Sequence, residues 1–173
     1  IKNTKTPFSI DFGVGDVIVP KQEKRKIPTQ LDDFASPTVN TYSLETTIAE
    51  KLDSILDLME FSSRMKDYYD IYYLANKFDF DGATLTKALK KTFENRGHSF
   101  TVEQFEQVMT FAENDAMQKK WKAFCRKIDT KTDDFNTVLK TIKEFLIEPF
   151  MAVMSEKGFA KKWSGRNNIW REN

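Results

Sequence analysis

Two patterns of hydrophobic and polar residues divide the chain near residue 40. After that point, apolar residues recur every three or four positions, which is typical of helices that bury one face. Between residues 7 and 19, apolar and polar residues instead alternate in places: Phe8, Ile10 and Phe12 share one side of a predicted strand, and Asp11 lies on the other. The pattern predicts an α+β fold, with strands and a connector in residues 1–40 and a helical domain in residues 41–173.

Six helices are predicted in the second part, over about residues 44–59, 63–78, 84–96, 101–112, 117–128 and 135–149. Ser43 is the predicted N-cap of the first helix, and Thr101 with Gln104 fits a capping box at the start of the fourth. Gly97 is expected to end the third helix and Pro149 the sixth, because proline interrupts helical hydrogen bonding. The structure of residues 158–173 is left open.

The pattern in the N-terminal part predicts a piece of a larger sheet. The segment around Gly13–Gly15 predicts a hairpin or a bulged strand pair, and residues 20–40, with three prolines, predict an extended connector with at most one short strand. Two strands alone bury too little apolar surface to be stable in water. We therefore expect a remnant of a mixed sheet whose other strands lie outside this sequence, and the start at Ile1 instead of methionine favours the same view.

Composition narrows the functional classes. Twenty-seven basic residues against twenty-six acidic ones leave a net charge of +1, so any nucleic-acid-binding surface must be local. The single cysteine excludes an internal disulfide, and no apolar run is long enough to span a bilayer. These features predict a cytoplasmic protein that makes no use of a membrane.

Charged residues interrupt the apolar faces of the first two predicted helices. Lys51 falls at the edge of the apolar arc of the first helix, whereas Asp53 falls on the opposite side together with Glu50 and Asp57. On the second helix, Asp67 and Asp70 begin the stripe that continues through apolar residues. Burying a charge is costly unless it is paired or bound to a ligand.

Two cations, Arg64 and Lys66, directly precede these carboxylates, which predicts a charged cluster at the mouth of a cleft. The residues alone leave two interpretations open. One is a binding site, and the other is a structural ion pair aided by the helix dipole.

A family resemblance bears on this choice. The stretches that carry it are Ile10–Asp16, Tyr42 with Ala49–Lys51, Ser63–Ile71, Phe80–Gly82 and Trp121–Phe124. Over about residues 8–147 the chain resembles the AbiEii/AbiGii toxin family of nucleotidyltransferases, and it looks like the C-terminal portion of such a protein. The most specific element is the Arg-x-Lys-Asp block, which follows in sequence a predicted helix that carries Lys51.

The resemblance implies a metal-dependent site. The family is similar to DNA polymerase beta-type enzymes, in which a Gly-Ser motif and an Asp-x-Asp pair bind nucleotide and metal, and a later strand supplies a third acid. Asp11 matches that third acid and would bind Mg2+, with Asp16 as a second choice. The first two motifs are absent before Asp11, and Asp79-x-Asp81 is better explained by helix capping. We therefore expect this stretch alone to be inactive.

The resemblance also implies roles for the helical residues. Lys51, Arg64 and Lys66 would bind the phosphates of a nucleoside triphosphate, and Lys51, Asp67 and Asp70 would be catalytic. The implied reaction is transfer of a nucleoside monophosphate to an RNA (a transfer RNA) or protein acceptor by the toxin of a toxin–antitoxin pair. The alternatives are a non-catalytic helical binding module and a split enzyme that needs a second chain.

The remaining candidates are weaker. His98 and Cys125 are assigned to structure or surface, because no zinc or Cys–His constellation is evident. Two groups of cations fit an RNA backbone or simply a solvated surface: Lys119, Lys120, Lys122, Arg126 and Lys127, and Lys161, Lys162 and Arg166. Trp163 and Trp170 are expected to be packing anchors, with base stacking as the alternative.

Overall fold

A computed structural model describes residues 7–10, 14–128 and 132–172 of the chain. Its α-helices are α1 (Leu44–Leu58), α2 (Met65–Lys77), α3 (Gly82–Arg96), α4 (Val102–Met109), α5 (Asp115–Ile128) and α6 (Phe135–Met154). Its strands are β1 (Glu23–Lys26), β2 (Thr38–Thr41), β3 (Phe80–Asp81), β4 (Lys162–Ser164) and β5 (Ile169–Arg171). The predicted α+β class is confirmed.

The core surrounds α6, which packs against α2, α3 and α4. Its buried face includes Phe135, Phe145 and Phe150, all of which are fully buried. Helix α1 lies between α2 and α3 and packs against both. Among the described residues, no helix is long and apolar enough to span a membrane.

The helix ends follow local sequence signals. The Ser43 side chain accepts a hydrogen bond from the Thr46 amide at 3.1 Å, and Thr101 and Gln104 form the predicted capping box. Asp81 caps α3 through the Thr84 amide, which confirms its interpretation as a cap. Gly97 ends α3 in the left-handed region at φ 67°, where glycine is favoured.

Helix α6 continues through Pro149 to Met154, so the prediction that it ends near Pro149 was wrong. Proline has no amide hydrogen and leaves the carbonyl of residue 145 without its helical donor. In this fold the Trp170 indole Nε1 donates to that carbonyl at 3.0 Å. A donor from the far end of the chain thus replaces the missing helical bond.

The predicted N-terminal hairpin was wrong for the described residues 7–10 and 14–19, which form no strand. Residues 11–13, including Asp11, lie outside the described part. The backbone at Val19 bonds instead to the start of α1: its amide donates to Thr46 Oγ1 at 2.8 Å, and its carbonyl accepts from Ser43 and Thr46. These bonds satisfy the backbone without a strand partner.

The connector contains more structure than expected. Strands β1 and β2 pair antiparallel, with Glu23 opposite Thr41 and Lys26 opposite Thr38. Almost all of their side chains are exposed. This ribbon contributes little to the core.

The C-terminal tail, left open by the sequence, forms a small antiparallel sheet in the order β3-β4-β5. Trp163 is buried and donates from Nε1 to the Ala75 carbonyl at 2.7 Å. Trp163 and Trp170 both pack on the ring of Phe145. The expectation that these tryptophans are packing anchors is confirmed.

Candidate active site

The site is built at the junction of α1 and α2. After α1 ends, a 3-10 turn (Met59–Phe61) reverses the chain, and Ser62 Oγ accepts a hydrogen bond from the Arg64 amide at 3.1 Å. Lys120 of α5 donates to the carbonyls of Glu60 and Ser62 at 2.8 and 2.9 Å. These bonds fix the start of α2 beside the middle of α1.

Lys51 of α1 contacts both predicted carboxylates of α2. Its Nζ lies 3.0 Å from Asp67 Oδ1 and 2.6 Å from Asp70 Oδ2. The Lys51 side chain is only 19% exposed, so this pair is largely withdrawn from water. The three residues that interrupt the apolar stripes therefore meet, as the helical pattern indicated.

The protonation state of Lys51 follows from these contacts. Burial acts to lower the pKa of Lys51, but the hydrogen bonds to Asp70 and Asp67 outweigh it and raise this pKa above its ordinary value. Lys51 is therefore a cation at neutral pH. It suits the binding of an anion and is not suited to act as a base.

Arg64 and Lys66 flank this trio at its exposed side. Lys66 Nζ lies 2.5 Å from Asp70 Oδ2, and Arg64 NH1 lies 3.9 Å from Asp67 Oδ2. Their side chains are 63% and 71% exposed respectively. Each can leave its present partner for a ligand at small cost, because exposed ion pairs contribute little free energy.

One atom of the cluster lacks a hydrogen bond. Among the described residues, Asp67 Oδ2 is buried and has no donor within hydrogen-bonding distance. A buried carboxylate oxygen without a donor is costly, since it loses its hydration without replacement. Asp67 thus offers an acceptor to a hydroxyl, an amide or a water that binds beside Lys51.

A cavity of about 280 Å³ opens at this cluster. Its lining combines charged and hydroxyl side chains: the cations Lys51, Arg64 and Arg96, the carboxylates Glu50 and Asp67, and the hydroxyl residues Tyr42, Thr47 and Ser54. Lys66 and Asp70 adjoin this lining through their contacts with Lys51 and with each other. Three of the predicted site residues, Lys51, Arg64 and Asp67, thus line the cavity, and the other two from the helices adjoin it.

The predicted metal ligand is not part of this geometry. Asp11 lies outside the described residues, and within those residues no group of three or more His, Cys, Asp or Glu side chains could hold a metal ion. Asp16, the second choice, accepts a hydrogen bond from the Tyr42 hydroxyl. The described residues therefore do not by themselves fit a metal ion.

Sequence reasoning missed a second charged cluster beside the first. Asp53, expected on the side of α1 away from the apolar arc, is fully buried. Its Oδ2 accepts from Arg96 NH1 at 2.9 Å, and its Oδ1 lies 2.9 Å from His98 Nδ1. Arg96 NH2 also pairs with Glu50. Burial raises the pKa of Asp53, and the hydrogen bond from His98 opposes this effect.

No spacing signal in the sequence links these residues, since 43 and 45 positions separate Asp53 from Arg96 and His98. The available hint was a cation at the last position of a predicted helix, followed by glycine and the single histidine. The assignment of His98 to structure is confirmed by its contact with Asp53.

Other candidate surfaces have structural explanations. Lys119, Lys122, Arg126 and Lys127 are exposed on α5, as a solvated face predicts. A larger cavity of about 570 Å³ lies along α5 and the start of α6. Its carboxylates hold the fold together, because Asp134 caps α6 and Asp133 accepts from Tyr72. Size alone therefore does not identify the site.

Comparison with known proteins found one family match. Residues 1–146 match the family model described as "Nucleotidyl transferase AbiEii toxin, Type IV TA system". The matched range includes Lys51, Arg64, Asp67, Asp70 and Arg96. No curated protein and no solved structure matches the chain significantly.

Proposed function

Because the chain belongs to the AbiEii family of nucleotidyl transferase toxins from type IV toxin–antitoxin systems, we propose that it acts in transferring a nucleoside monophosphate. The donor is a nucleoside triphosphate, and the acceptor is an RNA, such as a transfer RNA, or a protein. The family implies an antitoxin as a partner. We place the reaction in the cytoplasm.

One observation carries this proposal: the protonated Lys51 is held between Asp67 and Asp70 at a cavity that also exposes Arg64. Nucleotidyl transfer needs fixed cations on the phosphates and an aligned attacking oxygen. A lysine held by two carboxylates is a rigid point charge, so its position changes little during the reaction.

The flanking residues divide the remaining tasks. Lys51, Arg64 and Lys66 bind the phosphates of the nucleotide, the latter two by turning from their exposed ion pairs. The free Oδ2 of Asp67 accepts a hydrogen bond from the attacking hydroxyl and orients it. Asp70 holds Lys51 and Lys66.

Mg2+ remains the proposed cofactor, with Asp11 as its proposed ligand from this chain. Since the described residues do not complete a metal site, no step is assigned to the ion. Asp11 would be one of its ligands.

The test uses the protein encoded by the whole reading frame that contains these residues. The purified protein is incubated with each radioactive nucleoside triphosphate and with transfer RNA or total protein. We expect the Lys51→Ala and Asp67→Asn variants to lose about 100-fold or more in the rate of label transfer. Lys91→Ala, which removes an exposed lysine paired with Glu94 on α3, is the matched control and should retain the rate.

A second variant separates catalysis from folding. Lys51→Ala combined with Asp70→Asn removes one of the two carboxylates that lost their lysine, and is expected to recover part of the stability but not transfer. If the double variant recovers both, the cluster is a structural ion network and the proposed function is wrong. Unchanged transfer by Lys51→Ala overturns it as well.

A further inference from the structure

We propose that Arg96 is a further phosphate-binding residue of this cavity, and that Asp53 positions its guanidinium group. This inference rests on the proposed function and extends it. The ligand is the triphosphate of the nucleotide donor, held from the α1–α2 side by Lys51 and from the α3 side by Arg96.

The position of Arg96 is the first support. It is the last residue of α3, and its side chain reaches α1, where NH1 contacts Asp53 and NH2 contacts Glu50. Glu50 precedes Lys51 in the sequence, and both line the cavity with Arg96. Two cations from different elements therefore border one small space.

The burial of Asp53 is the second support. Asp53 is 0% exposed, and both of its oxygens are occupied, one by Arg96 and one by His98. A buried carboxylate is costly unless it is fully paired, and Asp53 meets this requirement through Arg96 and His98. Asp53 holds one edge of the Arg96 guanidinium against α1.

The donors left on Arg96 are the third support. A guanidinium has five N–H donors, and the contacts with Asp53 and Glu50 engage NH1 and NH2. The side chain is 33% exposed, so further donors can reach a ligand in the cavity. The planar fork matches the oxygens of a phosphate and binds them in pairs.

The charge of the lining agrees with an anionic ligand. The three cations at the cavity outnumber its two carboxylates only because Arg96 is present. Without Arg96, the lining would be neutral. Asp53 behind Arg96 and the Lys66–Asp70 pair beside Lys51 bring the whole cluster to neutrality, so the excess is confined to the residues that line the cavity.

The experiment measures nucleotide affinity and turnover separately in the protein from the whole reading frame. Arg96→Ala is expected to raise KM for the nucleotide about 10-fold or more with a much smaller change in kcat. The dissociation constant for inorganic tripolyphosphate, a probe without base or sugar, should rise by a similar factor. Arg96→Lys should give an intermediate value, and Arg171→Ala on the exposed strand β5 is the matched control.

Asp53→Asn tests the positioning role. It should raise KM less than Arg96→Ala does, because the guanidinium remains but is held less firmly. The double variant Arg96→Ala/Asp53→Asn should have the KM of Arg96→Ala alone, since Asp53 acts only through Arg96. Independent, multiplying effects would overturn the positioning role.

The outcomes separate this inference from the proposed function. If Lys51→Ala abolishes transfer while Arg96→Ala lowers only the melting temperature and leaves KM and tripolyphosphate affinity unchanged, this inference alone is wrong. If the unmodified protein binds neither a nucleoside triphosphate nor tripolyphosphate, both are wrong.

Discussion

At the scale of single residues, the contacts of Lys51 with two carboxylates make the free energy of unfolding depend on the charge of Lys51. The pKa of Lys51 is raised in the folded chain, so its contribution to stability is complete below the unfolded value of about 10.4. It is lost as the pH rises through the higher folded value. Across the neutral range Lys51 therefore keeps its positive charge.

Removing Lys51 should leave Asp67 and Asp70 without the cation between them, so that only the exposed side chains of Arg64 and Lys66 remain to pair with them. We expect Lys51→Ala to lower the free energy of unfolding by about 2–3 kcal/mol, as removal of one partner of a largely buried pair does. In the Lys51→Ala background, Asp70→Asn should recover part of this loss, with a coupling energy of about 1–3 kcal/mol. Urea unfolding of the four proteins measures both values.

The exposed pair of Lys90 and Glu94 provides the comparison, since its coupling in the same cycle should stay below about 0.5 kcal/mol. Equal coupling in the two cycles would mean that Lys51 is no more than a surface ion pair.

The sequence predicted the charged cluster between α1 and α2 but not the second cluster around Asp53, and the reason is geometric. Lys51, Asp67 and Asp70 were found because each interrupts one apolar stripe on its own helix. Asp53 was missed because a helical wheel assumes a single buried face, whereas α1 packs against α2 on one side and α3 on another. Its partners Arg96 and His98 come close only in the folded chain.

At the scale of elements, the sequence correctly predicted helix caps formed by nearby residues. It did not predict a hydrogen bond from a residue far along the chain. The caps at Ser43, Thr101 and Gly97 use residues within four positions, and each was predicted. The passage of α6 through Pro149 depends on Trp170, 25 positions from the carbonyl that it satisfies. No local rule could supply that donor.

The hydrogen bond from Trp170 to the Phe145 carbonyl predicts a compensating pair of substitutions. Trp170→Phe removes the indole donor, leaves the Phe145 carbonyl without a partner, and should lower the free energy of unfolding by about 1–3 kcal/mol. Adding Pro149→Ala restores an amide hydrogen at residue 149 and should recover part of that loss. Thermal unfolding of the single and double variants tests this. A double variant less stable than Trp170→Phe alone would contradict it.

At the scale of the whole molecule, the N-terminal part is held to the helices at few points. In residues 7–10 and 14–40, Val19 is the only buried residue, and it is held through Ser43 and Thr46 at the start of α1. The ribbon of β1 and β2 is almost wholly exposed. The expected division near residue 40 stays a prediction that this arrangement makes testable.

Limited proteolysis should therefore cut first between residues 21 and 37 and leave a resistant fragment that begins near Tyr42, because exposed segments with few buried contacts open at little cost. Mass spectrometry identifies the fragment. Thr46→Val, which removes both hydrogen bonds between Thr46 Oγ1 and the Val19 backbone, should extend early cleavage toward residues 14–20. Equally fast cleavage within α1 to α6 would contradict the predicted division.

The contact between Asp53 and His98 gives the molecule a magnetic resonance probe of its own. The chain has one histidine, so its imidazole contributes a single set of side-chain signals. Because an ionised carboxylate only accepts hydrogen bonds, Nδ1 of His98 donates to Asp53, and the chemical shift of that nitrogen reports this hydrogen bond. A ligand that binds Arg96 changes the contact between Arg96 and Asp53, and the His98 signals shift because Asp53 also contacts His98. These signals therefore report occupancy of the cavity without an added label.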